Sequence, residues 1–221
     1  MRDYVANKHK NNNYFSYNGI SILIKDELKF DIDFQELYEV LDDIPSQYFT
    51  EIDYIMFGQF DFLNSRRFNA SYYDGAIYVS NLQEDNFNVI DDIVHEVGHA
   101  VEEKYKNFLF SDGLIEKEFL KKRQLLSLEL KKSGFSYVPS SITSTEYDEV
   151  LDQYFYDTIG YPILTSITQN IYYSPYASTS INEYFANGFE AFYYHRDIYL
   201  KTVSPVLFAK LENLEEKIQN V

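Results

Sequence analysis

Between Asn88 and Val101 the chain has one plausible conformation, an amphipathic helix. Ile90, Ile93, Val94, Val97 and Val101 fall at offsets 0, 3, 4, 7 and 11, a single apolar stripe at helical period. Asn88 can cap its start, and Asp91 and Asp92 suit the positive end of its dipole. His95 and His99 therefore stand one turn apart on one side of this helix, with Glu96 beside the first.

That spacing carries chemistry. Two histidines at i and i+4 present ring nitrogens to one ion, and zinc prefers neutral imidazole in near-tetrahedral geometry. Glu96 lies about 100° around the helix from His95, displaced from the ligand pair. There it can take a proton from a zinc-activated water, whose pKa falls to about 7, and pass it to a leaving amine. His95-Glu96-Val97-Gly98-His99 thus predicts one Zn2+ per chain and hydrolysis. Gly98 inside the helix costs about 1 kcal/mol relative to Ala, a cost that close backbone approach at a metal would justify.

A catalytic zinc site needs a third protein ligand and one open position. Metzincin spacing would require Gly at 102 and His at 105, and the chain has Glu102 and Tyr105. Glu118 falls in the thermolysin-like position, but Glu116-Lys117-Glu118-Phe119-Leu120-Lys121-Lys122 reads as a solvated charged face. Glu183 is favoured. In Asn182-Glu183-Tyr184-Phe185-Ala186-Asn187-Gly188-Phe189-Glu190, the residues Glu183, Asn187 and Glu190 form a polar stripe on an otherwise apolar helix, which is costly unless satisfied. Against this, Ser180-x-x-Glu183 is also a capping-box pattern. Glu190 and His195 are lesser options. His9 and His195 read most simply as exposed or core histidines.

Around this segment the order of elements is α+β. Residues 1–18 are expected to form a flexible, polar N-terminal arm, and 19–221 a single domain. Ile20–Ile24, Ile52–Phe57 and Ala76–Val79 read as strands, the last after an Asp74-Gly75 turn, with a helix at Phe34–Leu41. Beyond Lys106 the pattern is helical: one helix from Asp112 to Lys132 with Gly134 as its stop, one from Thr145 to Gly160, an aromatic one from Ile181 to Tyr194, and a last one opened by Ser204-Pro205 with its apolar face at Leu207, Leu211, Leu214 and Ile218.

Composition narrows the functions. A net charge of −16 opposes a nucleic-acid groove and docking on anionic lipid. The chain has no Cys, which excludes disulfides, thiolate metal sites and cysteine nucleophiles. No secretory h-region and no run of 18 apolar residues is read in the sequence, so no membrane insertion is expected. The expectation is a soluble protein, in the cytoplasm, on a virion or exported without a signal, acting on a protein or peptide substrate.

Taken together, His95-Glu96-x-x-His99 and, much later, Tyr176 seven residues ahead of Glu183-Tyr184-Phe185-Ala186-x-x-Phe189 resemble the catalytic domain of the anthrax lethal factor family, which also includes the clostridial Pro-Pro endopeptidases. The resemblance implies a gluzincin-type, zincin-like fold with His95, His99 and Glu183 as zinc ligands, Glu96 as general base and Tyr176 stabilising the oxyanion. It implies a zinc metalloendopeptidase, be it a toxin, a phage component or a housekeeping protease, with an edge strand near Gly75–Ser80 aligning the peptide. The alternative is a catalytically idle zincin-like scaffold serving a toxin complex or virus particle. Asn187 departs from the family's usual Glu. The segment 106–170 is longer than expected and reads as a helical insertion, an exosite or lid, because Lys117, Lys121, Lys122, Arg123, Lys131 and Lys132 cluster there.

Overall fold

The computed structural model describes residues 14–66 and 68–219, and within them the protein is α+β. Most of the expected arm, and His9 with it, lies outside the described residues. The end of that arm does not fit the expectation of a loose tail: Tyr14–Tyr17 is strand β1. It pairs antiparallel with β2 (Ile20–Ile24). Asn18 and Gly19 both take positive φ, 48° and 94°, the type I′ geometry whose twist matches the flanking strands.

The chain divides into two compact units, Met1–Lys104 and Tyr105–Val221. In the first, α1 (Phe34–Asp42) follows β2, capped by the Asp33 carboxylate, which accepts from the backbone N–H of Gln35 and Glu36. Strand β3 (Tyr54–Gly58), α2 (Asp61–Arg66), β4 (Ala70–Tyr73) and β5 (Ala76–Ser80) come next. The sheet order is β1-β2-β3-β5-β4, parallel at β2/β3 and β3/β5 and antiparallel at both edges. Asp74 and Gly75, at φ 49° and 77°, close the β4–β5 hairpin.

This order corrects one expectation. β5 lies between β3 and β4, so the edge on this side of the sheet is β4 and not the strand at Gly75–Ser80. Ser71, Tyr72 and Tyr73 alternate too weakly in polarity to announce a strand; pairing with β5 makes them one.

Helix α3 (Asn86–Phe110) carries the two histidines. Its cap is the Asp85 carboxylate, which accepts from Asn88 N at 2.9 Å, three residues before the cap expected from pattern alone. Ile90, Ile93, Val94, Val97 and Val101 are all at most 1% exposed, and burial of each such side chain contributes about 1.5–3 kcal/mol. The helical geometry breaks at Tyr105, with φ −103° and ψ 15°, next to the division between the units.

The second unit is helical in every described element. It contains α4 (Leu114–Lys132), α5 (Glu149–Gln153), α6 (Tyr161–Thr168), α7 (Ile181–Tyr193), α8 (Tyr199–Val203) and α9 (Pro205–Gln219). Where one helix was expected from Thr145 to Gly160, Asp148 caps a short α5 through Leu151 N at 2.8 Å. A π-helical stretch, Tyr154–Ile159, then runs to Gly160. Pro162 begins α6 and does not end the preceding helix. A Cβ on Gly188 would stand 2.3 Å from Leu207 Cδ2, so a larger residue there requires the Leu207 side chain between α7 and α9 to shift.

The charged segment of α4 is not a uniformly solvated face. Glu118 accepts from Val206 N (2.9 Å), Leu207 N (3.1 Å) and the Tyr184 hydroxyl (2.7 Å), which satisfies the first turn of α9. Lys122, 6% exposed, donates to the carbonyls of Ile171 and Val203 and sits over the rings of Tyr172 and Tyr184, at 5.4 and 5.6 Å. Arg123, fully buried, donates to Thr179 O at 2.7 Å and stacks on Phe119. Two of the six clustered basic residues therefore hold the unit together from inside.

Candidate metal centre

The i, i+4 spacing on α3 brings the ring centroids of His95 and His99 to 5.0 Å, with planes at 77°. One ligand atom each from His95, Glu96 and His99 lies within 4.8 Å of the others. Imidazole and carboxylate groups at this separation could hold a metal ion. Gly98 is buried in the same turn.

Three further side chains and one backbone group complete the surroundings. Glu102, 5% exposed, lies one turn beyond His99, with its Oε2 3.7 Å from His99 Nδ1. That is ion-pair range, beyond a direct hydrogen bond. A carboxylate behind a metal-facing histidine fixes its orientation and raises its basicity. Asp92 lies one turn before His95 and accepts from Gln83 Nε2 at 2.6 Å. Burial pushes the Asp92 carboxyl up to about 7, against the lowering effects of the Gln83 bond and of His95. Each histidine thus has an acidic side chain one turn away along α3.

Glu96 is 7% exposed and faces the sheet. Its Oε2 accepts from the backbone N–H of Tyr72 on β4 at 2.6 Å. The carboxylate beside the histidines is thereby held at the β4 edge of the sheet, where a further extended strand could pair.

Glu183 and Tyr176 lie in the second unit. Glu183 is in the first turn of α7, its N–H accepted by Ser180 Oγ at 3.1 Å, so this half of the capping box is formed. Tyr176 opens a 3-10 turn, Tyr176–Ser178, that packs against α7. Of the polar stripe on α7, Asn187 and Glu190 are buried. Asn187 Oδ1 has no hydrogen-bond partner among the described residues. Glu190 Oε1 lies 3.1 Å from His195 Nε2. Glu118, committed to α9, has no carboxylate oxygen left without a partner.

Glu102 is the residue that pattern reading passed over. Its i+3 relation to His99 was visible in the sequence; its burial was not. Among the described residues no helix is long and apolar enough to cross a membrane. No family model matches the chain, and no curated protein or solved structure matches it significantly.

Proposed function

We propose that the protein is a zinc-dependent endopeptidase whose catalytic helix is α3. The observation that carries this reading is the convergence of His95, Glu96 and His99 within 4.8 Å, with Glu96 also turned to the edge strand through Tyr72 N. The residues fit zinc: two imidazoles one turn apart, and an acidic side chain one turn from each. His95 and His99 would hold the ion, which when bound supplies Lewis-acid polarisation of the scissile carbonyl and acidifies water. Glu183 is proposed as the third ligand and Tyr176 as the oxyanion donor, both on the resemblance to the lethal factor family.

The chain's own residues then divide the work. Glu96 takes the proton of the attacking water and returns it to the leaving amine. Its bond to Tyr72 N–H sets the carboxylate against β4, where a peptide pairing with the edge would run past it. Glu102, on Nδ1 of His99, would keep Nε2 directed to the metal.

Elemental analysis together with cleavage of a peptide library tests this. The expected result is one zinc per chain and cleavage that Glu96→Gln reduces at least a hundredfold with zinc still bound. Zinc without cleavage would establish the idle scaffold; absence of zinc binding would overturn the reading altogether.

A further inference from the structure

The four basic residues that α4 leaves exposed share its outer face with three leucines. At about 100° per residue, Leu114, Lys117, Lys121, Leu125, Leu128, Lys131 and Lys132 fall within a sector about 120° wide. All seven are exposed, with Leu114, Leu125 and Leu128 at 48, 44 and 53%. The chain carries 35 acidic residues against 19 basic ones, yet no Asp or Glu falls in this sector. Among the described residues only Lys132 has a carboxylate partner there, Glu129 at its margin, 2.6 Å away. The opposite face holds Ile115, Phe119, Leu126 and Leu130 in the core, so α4 is anchored and cannot turn its outer leucines inward.

Lysines alone would be an ordinary solvated face. Exposed leucines interleaved with them at helical spacing are not, because each loses apolar burial that a complementary partner would restore. We propose that this face docks an acidic amphipathic helix of a protein partner, whose apolar side chains pack on Leu114, Leu125 and Leu128 while its carboxylates meet Lys117, Lys121 and Lys131. The 19-residue length of α4, about 28 Å, suits a partner helix of four or five turns. Residues 1–13, with Arg2, Lys8 and Lys10 against Asp3, carry the wrong charge to occupy it. An anionic bilayer is disfavoured by the net charge of −16 and by an apolar strip of only three side chains. The surface stands independently of whether the chain hydrolyses peptides.

The test is fluorescence anisotropy of the full chain with a labelled synthetic peptide of leucine and glutamate at heptad spacing. Controls are a scrambled peptide and one with lysine in place of glutamate. Expected is binding about tenfold tighter than to either control, weakening as salt rises. K117E/K121E/K131E and L125S/L128S should each lose about tenfold, with unchanged thermal melting; the single changes Lys121→Glu and Leu128→Ser serve if a multiple variant melts early. Equal binding of the scrambled peptide, or no effect of the leucine variants, would leave only diffuse attraction and overturn the proposal. So would tighter binding to phosphatidylserine–phosphatidylcholine vesicles, or wild-type dimerisation in sedimentation that these variants abolish.

Discussion

The Oε2 atom of Glu102 stands 3.7 Å from Nδ1 of His99, one helical turn along α3, with Glu102 buried. A buried carboxylate facing an imidazole nitrogen is stable only if something holds the pair in register, and the rigid helix does. Replacing Glu102 with Ala or Gln should weaken zinc binding about 10- to 100-fold while circular dichroism stays unchanged. Competition against a chromophoric chelator measures this. An unaltered zinc affinity would reduce Glu102 to a structural acid.

Asp92 gives the metal-free protein a pH dependence of known sign. Its carboxyl is pushed up by burial to about 7, from an ordinary 3.8, so the folded state holds a proton that the unfolded state releases between pH 4 and 7. The stability from this group is fully present below pH 4 and is lost as pH rises through 7. The gap between wild type and Asp92→Asn in urea denaturation should therefore widen against the wild type by up to roughly 3 kcal/mol between pH 4 and 7. Parallel stability curves would show that Asp92 does not titrate there.

Glu118 is predicted to matter for folding and not for metal. Its three accepted bonds satisfy the start of α9 and the Tyr184 hydroxyl. Glu118→Ala should cost about 3 kcal/mol in chemical denaturation, and Glu118→Gln less. Zinc uptake at 25 °C should be unchanged in both. A variant that folds normally and loses zinc would return Glu118 to the ligand set.

Lys122 runs in the opposite direction from Asp92 with pH. Burial lowers its ammonium to about 8 from 10.5, partly opposed by Glu118. Its stabilising contribution is complete above 10.5 and declines as pH falls toward 8. Wild-type stability should therefore rise between pH 8 and 10.5 relative to Lys122→Met. At pH 7 the Met variant leaves the carbonyls of Ile171 and Val203 without this donor, an expected loss of about 2 kcal/mol. Thermal melts at pH 7, 8.5 and 10 separate the two effects.

Much of the fold is legible as pattern. The strands at Ile20–Ile24 and Ala76–Ser80, helix α3 and the buried line Leu207, Leu211, Leu214 and Ile218 follow from periodicity, because one-sided burial imposes a repeat on the sequence. The hairpin at Asn18-Gly19 was not read from the sequence, although Asn-Gly is a strong type I′ signal, because the polar residues before it read as a loose arm. β4 was not legible: its residues become a strand through the partner that β5 supplies.

The grouping of His95, Glu96 and His99 was determined by the sequence alone, since an α-helix converts a spacing of four into a shared face without outside help. Tertiary structure decided what sequence distance cannot carry. It set Glu96 on the N–H of Tyr72, buried Glu102 behind His99, and drew Glu118 and Lys122 inward to backbone groups of distant helices. The physical reason is that a charged side chain reads the same in sequence whether water or a buried donor satisfies it. Only the packing around it shows which one does.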